Sequence, residues 1–204
     1  MKKLGVIRFP GTNCDHDVYR WLSDQGHRPE WIWYTNQFSV TEFEGLVLPG
    51  GFSFGDYLRS GALAARSPVM ASVREMAQKG KPILGICNGF QILCESGLLP
   101  GALLPNEKGL FIDDWCDLIS GDGKKSIRLP VAHGDGRFHI SQEDLSKLQD
   151  QNQIWWRYVL NPNGSKDKIA GVTNGTGNVR GLMPHPERAY QDWMGGRDGW
   201  MFWI

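Results

Sequence analysis

Short apolar segments alternate with helix-like segments through residues 3–97, and this alternation constrains the fold more than any other feature of the sequence. The apolar segments KLGVIRF, RPEWIWY, FEGLVLPGG and KPILGIC have the length and composition of β-strands. Among them, residues 14–26, 68–79 and 88–97 carry apolar side chains at helical spacing. Because strands joined by helices pair in parallel and bury both faces, the pattern predicts an α/β fold with a mostly parallel central sheet flanked by helices.

The pattern changes at about residue 109, where successive strand-like segments replace the alternation. These segments are GLFIDDWCDLI, KKSIRLPVAHG, QIWWRYV, KIAGVTN and NVRGLMPH, with turn residues between them. We expect them to add extra strands in the C-terminal half, extending or flanking the main sheet. Since no repeat, low-complexity tract or linker interrupts the 204 residues, we expect a single domain over residues 1–204.

Charge and hydropathy argue against two classes of partner. The 22 basic and 22 acidic side chains balance to a formal net charge of zero without a basic tract, which disfavours nucleic acid binding. No apolar run approaches the ~18 residues that a membrane span needs. The start MKKLGVIRFPG resembles a signal peptide only as far as Arg8 and Pro10, so we interpret it as the first strand of a cytoplasmic protein.

The cysteines form no recognisable metal site. They contain no CxxC pair and no ligand-spaced set with the five histidines, which predicts reduced thiols and no bound metal. The four are Cys14, Cys87, Cys94 and Cys116.

One of these cysteines, Cys87, lies between glycines whose spacing has a geometric use. Gly85 and Gly89 stand two residues before and after it, between a predicted strand and a predicted helix. This spacing is typical of the sharp turn that displays a nucleophile at the carboxyl edge of a sheet, with the helix N-terminus favouring a thiolate. The N–H of Asn88 would then face a developing oxyanion. The alternative is a buried cysteine at the end of a core strand.

A nucleophilic cysteine needs a base, and the segment GLMPHPERA offers one. In an extended segment His185 and Glu187 project to the same side, so the carboxylate can orient the imidazole. Pro184 and Pro186 favour that extended geometry. By itself the segment is also typical of a charged surface turn, and its combination with Cys87 is what favours catalysis.

The segment VLPGGFSFGD ends a predicted strand in two glycines. Gly50 and Gly51 allow backbone N–H groups to approach a substrate closely, so the N–H of Gly51 is a candidate second oxyanion donor. A Gly-Gly turn without any further role is the alternative.

Four segments occur in the order and approximate spacing of a known enzyme family: PGGFSFGDYLRSGALAA, GICNGFQIL, PVAHGDGRF and GLMPHPERA. Over nearly its whole length the chain resembles the class I, triad-type glutamine amidotransferases, which have a flavodoxin-like α/β fold. More narrowly, it resembles the glutaminase subunits of phosphoribosylformylglycinamidine synthases of purine biosynthesis. The cysteine turn and the His-Pro-Glu segment are shared by the wider class, whereas GGFSFGDYLRSGA and HGDGRF are typical of these subunits.

The resemblance implies roles for six residues. Cys87 attacks the side-chain amide of glutamine, His185 transfers the proton, and Glu187 orients His185. Three further residues bind the substrate or its oxyanion: Gly51 and Asn88 through their N–H groups, and Gln91. Glutamate and ammonia are the implied products.

Partners and cofactors also follow from the resemblance. A large synthase subunit would use the ammonia to convert formylglycinamide ribonucleotide to formylglycinamidine ribonucleotide, and a small accessory subunit would complete the complex. ATP and magnesium are expected on the large subunit, because this chain has no GxxxxGK[ST] segment and no evident carboxylate cluster. We expect no cofactor in this chain.

Two other interpretations remain open at this point. The chain could be the glutaminase subunit of another biosynthetic amidotransferase, or a non-catalytic interaction subunit of the same fold. Compared with the family, the region 111–130 is short and the chain stops early, at GWMFWI; both differences concern docking to the partner and leave the triad intact. Five tryptophans belong either to the core or to a face that docks the partner, and we expect the core: Trp155, Trp156, Trp193, Trp200 and Trp203.

Overall fold

The structure of the protein, a computed structural model, describes residues 1–202 apart from the side chain of Met201. Eleven strands and four α-helices form in these residues. The strands are β1 (Lys3–Arg8), β2 (Arg28–Trp33), β3 (Gly45–Leu48), β4 (Ile83–Ile86), β5 (Ala102–Leu104), β6 (Ile112–Ser120), β7 (Ser126–His133), β8 (Arg137–His139), β9 (Ile154–Tyr158), β10 (Ile169–Thr173) and β11 (Val179–Leu182). The helices are α1 (Asp15–Asp24), α2 (Val69–Gln78), α3 (Asn88–Glu95) and α4 (Gln142–Asp150).

Nine of the strands form one sheet in the order β2-β1-β3-β4-β11-β10-β9-β6-β7. The strands from β2 to β11 in this order pair in parallel, and β10, β9, β6 and β7 continue the sheet in antiparallel pairs. β5 and β8 form a separate antiparallel pair. The parallel core and the extra C-terminal strands confirm the predicted fold class.

The central strands are apolar throughout, as strands with two buried faces must be. All four residues of β3 and all four of β4 are buried. Helix α2 buries Val69, Val73 and Met76, which share one helix face at i, i+4 and i+7 spacing. Each such side chain contributes about 1.5–3 kcal/mol on burial, and this core fixes the strand ends that carry the candidate site.

Four connections leave the carboxyl ends of neighbouring parallel strands at one edge of the sheet. Residues 9–14 follow β1, residues 49–53 follow β3, Cys87 follows β4, and residues 183–188 follow β11. Ligand sites of open α/β sheets form at this edge. The topology therefore brings the predicted nucleophile, base and oxyanion turn together although they are far apart in the sequence.

The sequence pattern does not predict three of these elements, namely α4, β5 and β8. Helix α4 follows Ser141, whose side chain accepts a hydrogen bond from the Asp144 N–H, and it buries Leu145 and Leu148. The Ser-x-x-Asp spacing before two apolar residues is the local signal for this helix. β5 and β8 have three residues each, too few for a periodic pattern.

Two of the tryptophans expected in the core are on the surface, and the expectation is wrong for them. Trp193 and Trp200 are 77% and 47% exposed, whereas Trp156 is buried. Trp155 is partly buried and packs against the core. Indole rings tolerate partial exposure because the ring is amphipathic. Trp203 lies outside the described residues.

The four cysteines, all within the described range, are free and buried, as the prediction of reduced thiols requires. Burial raises the pKa of Cys94 well above its ordinary value and that of Cys116 to about 12, so both are unreactive thiols at neutral pH. Among residues 1–202, no helix has the length and apolar composition to cross a membrane.

Candidate active site

Cys87 occupies a turn that the small size of its neighbours allows. It lies between β4 and α3 with φ 50° and ψ −106°, a strained conformation for a residue with a side chain. A Cβ atom on Gly85 would lie 2.6 Å from Leu93 Cδ1, and one on Gly89 would collide with the Leu48 carbonyl oxygen. Both glycines are therefore sterically required, and the turn holds Cys87 at the carboxyl edge of the sheet.

The first turn of α3 places hydrogen-bond donors beside Cys87. The Cys87 N–H donates to the Leu182 carbonyl at 2.8 Å, which ties the turn to β11. Asn88 is the first residue of the helix, where N–H groups have no intrahelical acceptor. Because the positive end of the helix dipole also lies here, the position favours a thiolate and an adjacent oxyanion.

His185 and Glu187 form a buried pair after β11. They are 1% and 0% exposed, and His185 Nδ1 lies 2.6 Å from Glu187 Oε1. The His185 N–H donates to the Pro130 carbonyl at 2.8 Å, which fixes the segment against β7. The other ring nitrogen of His185, Nε2, is buried and has no hydrogen-bond partner among the described residues. One ring nitrogen is thus held by the carboxylate, and the other is available to exchange a proton.

The charges around His185 favour its imidazolium form. Burial lowers the pKa of His185, but the negative charges of Glu187 and Cys87 oppose burial and hold the pKa well above its ordinary value. An imidazolium beside a cysteine is what stabilises a thiolate. The surroundings of His185 therefore hold it as an imidazolium in the buried site that also contains Cys87.

The Gly50-Gly51 turn packs between the candidate base and nucleophile. A Cβ atom on Gly50 would lie 2.8 Å from His185 Cε1 and 3.4 Å from Cys87 Cβ, so glycine fits closely here. Gly51 has φ 141°, and a Cβ atom on it would lie 2.7 Å from the Asn13 nitrogen. The loop after β1 thus holds the turn with its backbone beside Cys87, which is where an oxyanion donor must lie.

A cavity of about 140 Å³ opens at Cys87. Gly51, Cys87 and Gln91 line it, together with Phe52, Asp56, Ser60, Phe111, Ala132, His133, Gly134 and Asp135. Its size suits an amino acid and is below the ~300–1,000 Å³ of drug-sized sites. A larger cavity of about 490 Å³ lies at the antiparallel end of the sheet and contains none of the predicted site residues. The chemistry, rather than the volume, identifies the smaller cavity as the candidate site.

Two carboxylates, those of Asp56 and Asp135, face the smaller cavity. The sequence pattern does not single out either of them. Burial, and then the negative charge of Asp135, raise the pKa of Asp56 to about 6. The Ser60 hydroxyl donates to Asp135 Oδ2 at 2.6 Å, and Asn88 Nδ2 donates to Asp56 Oδ1 at 3.3 Å. Paired carboxylates favour a bound cation, which relieves their repulsion. Their place in the segments FSFGDY and HGDGRF, which carry the family resemblance, is the signal that points to them.

Asn88 and Gln91, both predicted to lie near the substrate, form a buried network on the first turn of α3. Asn88 Nδ2 donates to Gln91 Oε1 at 2.9 Å, and Gln91 Nε2 donates to the Asp135 carbonyl at 2.7 Å. The Ser53 N–H donates to Asn88 Oδ1 at 3.2 Å. The two side chains therefore hold the loops that carry the cavity's carboxylates, and Gln91 lies in the cavity wall.

His133 is a second buried histidine in the cavity wall, and sequence reasoning does not select it. Burial, followed by the positive charge of His185, lowers the pKa of His133 to about 4, so this imidazole is neutral at pH 7. Its Nδ1 lies 3.1 Å from Asn106 Oδ1. A neutral ring held by an amide shapes the cavity and is a poor partner for a thiolate.

Three potential metal-ligand atoms of Cys14, His185 and Glu187 lie within 4.8 Å of one another. Arg188 Nη2 donates to Cys14 Sγ at 3.1 Å, which places a cation beside the sulfur. Glu187 Oε1 is already bonded to His185. These contacts suit a hydrogen-bonded cluster better than a resident metal ion.

Comparisons with known proteins agree with this geometry. Residues 1–198 match the family described as the CobB/CobQ-like glutamine amidotransferase domain. Phosphoribosylformylglycinamidine synthase subunit PurQ of Aquifex aeolicus is 46% identical over 98% of this chain and 97% of that protein. The structure of PurLQS from Thermotoga maritima contains a chain with 44% identity and a TM-score of 0.89, over 98% of this chain and 95% of that one. A glutamine amidotransferase of Thermotoga maritima, 18% identical with a TM-score of 0.61 over 95% of this chain and 84% of that one, shares the fold.

Proposed function

Since this chain belongs to the PurQ family of phosphoribosylformylglycinamidine synthase subunits, within the CobB/CobQ-like glutamine amidotransferase domains, we propose that it hydrolyses glutamine and supplies ammonia to a synthase subunit. The observation that carries the proposal is the strained Cys87 turn in the wall of a small cavity, beside the 2.6 Å pair of His185 and Glu187. A non-catalytic subunit has no use for such strain or for a buried base.

Glutamine binds with its α-ammonium group against Asp56 and Asp135 and its side-chain amide towards Cys87. The ammonium group neutralises the repulsion between the two carboxylates and favours the ionised form of Asp56. Ser60 and Asn88 keep the carboxylates oriented through the hydrogen bonds described above. Burial of a compact, mostly polar ligand in a preformed cavity then fixes the amide for attack.

The Cys87 thiolate attacks the amide carbon, so that a C–S bond forms and the carbonyl oxygen becomes an oxyanion. The N–H groups of Gly51 and Asn88 stabilise that oxyanion, and each such donor contributes ~10²–10³ in rate. The His185 imidazolium gives its Nε2 proton to the amide nitrogen. The C–N bond breaks, ammonia leaves, and a glutamyl thioester remains on Cys87.

Water completes the cycle. Neutral His185 takes a proton from water as the water oxygen attacks the thioester carbon, and the C–S bond breaks. Cleavage of the C–S bond restores the Cys87 thiolate, and the proton taken from water restores the His185 imidazolium. The new carboxyl group loses a proton to solvent, and glutamate leaves. Glu187 accepts the Nδ1–H of His185 throughout and stabilises the imidazolium in both steps.

The partner of this glutaminase follows from its family. The matched chain of the relative lies in a structure of PurLQS, and we infer that a large and a small subunit also assemble with this chain. The large subunit would bind ATP and magnesium and use the ammonia to convert formylglycinamide ribonucleotide to formylglycinamidine ribonucleotide. Exposed apolar side chains suited to docking include Phe52 and Phe111, which line the cavity, and their near neighbours in the chain Tyr57, Leu58 and Leu110.

The experiment uses the complex of this chain with its large and small subunits. Cys87→Ala should abolish glutamine-dependent synthesis and leave ammonia-dependent synthesis intact, because ammonia bypasses the thioester. Cys94→Ala is the matched control, since Cys94 is a buried thiol outside the cavity, and it should keep both activities. Glutamine-dependent synthesis by Cys87→Ala would refute the mechanism, and a wild-type complex without ammonia-dependent synthesis would refute the assigned partner.

A further inference from the structure

Cys14 lies beside the catalytic candidates but has no part in the reaction proposed above. It is buried between β1 and α1. Its Sγ atom lies within 4.8 Å of a ring nitrogen of His185 and of a carboxylate oxygen of Glu187. Its N–H donates to the Gly50 carbonyl at 3.2 Å. One residue is therefore next to the base, the orienting carboxylate and the oxyanion turn.

A cation that can compete for Glu187 is bonded to Cys14. Arg188 Nη2 donates to Cys14 Sγ at 3.1 Å, and Arg188 Nε lies 3.3 Å from Asp17 Oδ2. Glu187 keeps a buried carboxylate oxygen, Oε2, that has no hydrogen-bond partner among residues 1–202. Arg188 follows Glu187 in the chain, and their opposite charges attract each other. Because arginine–carboxylate pairs are strong, Arg188 needs a contact that holds it away from this oxygen.

We propose that Cys14 is a positioning residue that holds Arg188 away from Glu187 and so reserves Glu187 for His185. This inference rests on the proposed function, since it concerns the base of that reaction. The sulfur accepts the Arg188 N–H and fills the space beside the His185–Glu187 pair. If Arg188 bonded to Glu187 instead, the His185 imidazolium would lose its counter-charge and the thiolate–imidazolium pair would be destabilised.

A neutral thiol meets both demands of this position. Burial raises the pKa of Cys14 despite the opposing effects of His185 and Arg188, so the thiol is uncharged at neutral pH. The S–H donates to Asn13 Oδ1 at 3.3 Å while the sulfur accepts from Arg188. Serine offers the same donor and acceptor in a smaller atom, whereas alanine offers neither.

Other titratable groups that influence His185 come from several elements packed around it. They are Cys87 after β4, Glu187 on its own segment, His133 on β7 and Cys116 on β6. Cys14 also raises the pKa of His185 directly, through a side-chain hydrogen bond, so Cys14→Ala lowers that pKa even if Arg188 stays in place. The double variant separates the two effects, because it recovers only the part of the displacement that Arg188 causes.

The test compares four variants of the full chain with the wild type. Cys14→Ala removes the contact, Cys14→Ser conserves it, Cys14→Ala/Arg188→Gln also removes the competing cation, and Cys94→Ala is the matched buried-cysteine control. The first readout is the alkaline limb of kcat/KM for glutamine hydrolysis, where His185 loses its proton. The second is the downfield proton NMR resonance expected for the Nδ1–H of His185, which bonds to Glu187 at 2.6 Å.

In Cys14→Ala the alkaline limb should move at least about one pH unit lower, since an opposite charge within ~4–6 Å changes a pKa by about 1–3. The downfield resonance should be lost with it. Cys14→Ser and Cys94→Ala should match the wild type, and the double variant should recover most of the displacement, leaving only the direct contribution of Cys14. An unmoved limb in Cys14→Ala, or a double variant as displaced as Cys14→Ala, would overturn the proposal.

Two provisions keep the outcome interpretable. If Cys14→Ala does not fold, Cys14→Val fills the space without accepting the Arg188 N–H and is expected to displace the limb in the same way. The NMR readout needs no turnover. A wild-type chain and complex without glutaminase activity would therefore refute the proposed function, while the resonance would still decide whether Cys14 keeps Glu187 on His185.

Discussion

Asp56→Asn should stabilise the protein and weaken glutamine binding in the same variant. The carboxyl group of Asp56 is half-buried and faces Asp135, and burial and that like charge raise its pKa from 3.8 to about 6. A carboxyl group whose pKa is raised by folding is destabilising once ionised: its favourable contribution is complete below about pH 3.8 and is lost as the pH rises through about 6. Asparagine keeps the shape and the acceptor oxygen without the charge.

The size of the stability gain follows from the pKa of Asp56. At 1.36 kcal/mol for each pKa unit, a rise of the Asp56 pKa from 3.8 to about 6 corresponds to roughly 3 kcal/mol for a fully buried group. Solvent screening at a half-buried group reduces this to about 1–1.5 kcal/mol. At about 2–4 °C per kcal/mol for a chain of this length, Tm at pH 8 should rise by roughly 2–6 °C. At pH 4 the gain should disappear, because Asp56 is then protonated in the folded wild type.

Substrate binding should move in the opposite direction. Loss of a charge-assisted hydrogen bond to the α-ammonium group costs about 1.5–3 kcal/mol, so KM for glutamine should rise at least ~10-fold with a much smaller change in kcat. Thermal melts at pH 4 and pH 8, and steady-state glutaminase kinetics, measure the two effects. The exposed carboxylate Asp113 on β6 gives the matched control, Asp113→Asn, which should change neither quantity. Equal Tm changes at both pH values would show that the charge of Asp56 does not destabilise the fold, and an unchanged KM would show that Asp56 does not bind the α-ammonium group.

Three further outcomes are expected. His185→Ala should reduce kcat more than Glu187→Gln, whose amide oxygen still accepts the imidazole N–H; steady-state kinetics with glutamine decide, and a larger loss in Glu187→Gln would contradict the orienting role. Gly89→Ala should lower the free energy of unfolding by about 1–3 kcal/mol, because its Cβ collides with a main-chain carbonyl, whereas Gly175→Ala meets no atom within 4 Å and should be neutral in denaturant titrations. Docking of the synthase subunit should raise kcat for glutamine more than it lowers KM. Tyr57→Ser, which changes an exposed aromatic side chain in the loop after β3, should reduce this stimulation. A kcat that is the same with and without the partner would exclude such coupling.

The cysteine turn could be predicted from the sequence because its determinants are local. Gly85 and Gly89 are needed within two residues of Cys87, and a strand and a helix adjoin them. The His185–Glu187 pair is local for the same reason, since the two residues are two apart in an extended segment. Geometry that depends on near neighbours leaves a readable spacing in the chain.

The rest of the site depends on contacts between distant segments. Asp56 and Asp135 meet only because the loop after β3 and the loop after β7 reach the same cavity, and neither has a distinctive neighbour spacing. Cys14 reaches the base through the order of β1, β3, β4 and β11 in the sheet, which no local pattern specifies. The exposure of Trp193 likewise depends on what the fold leaves uncovered, and composition alone favoured the core.

Labelling by a glutamine-like diazo ketone identifies the nucleophile, because the reagent alkylates the thiolate that would attack glutamine. The complex is treated with the reagent, residual glutaminase activity is followed, and peptides are mapped by mass spectrometry. We expect one equivalent of label on Cys87 and none on Cys14 or Cys94. Activity should fall in proportion to labelling, and glutamine should protect the enzyme. Inactivation with Cys87 unmodified, or labelling of Cys14 in its place, would show that Cys87 is not the nucleophile.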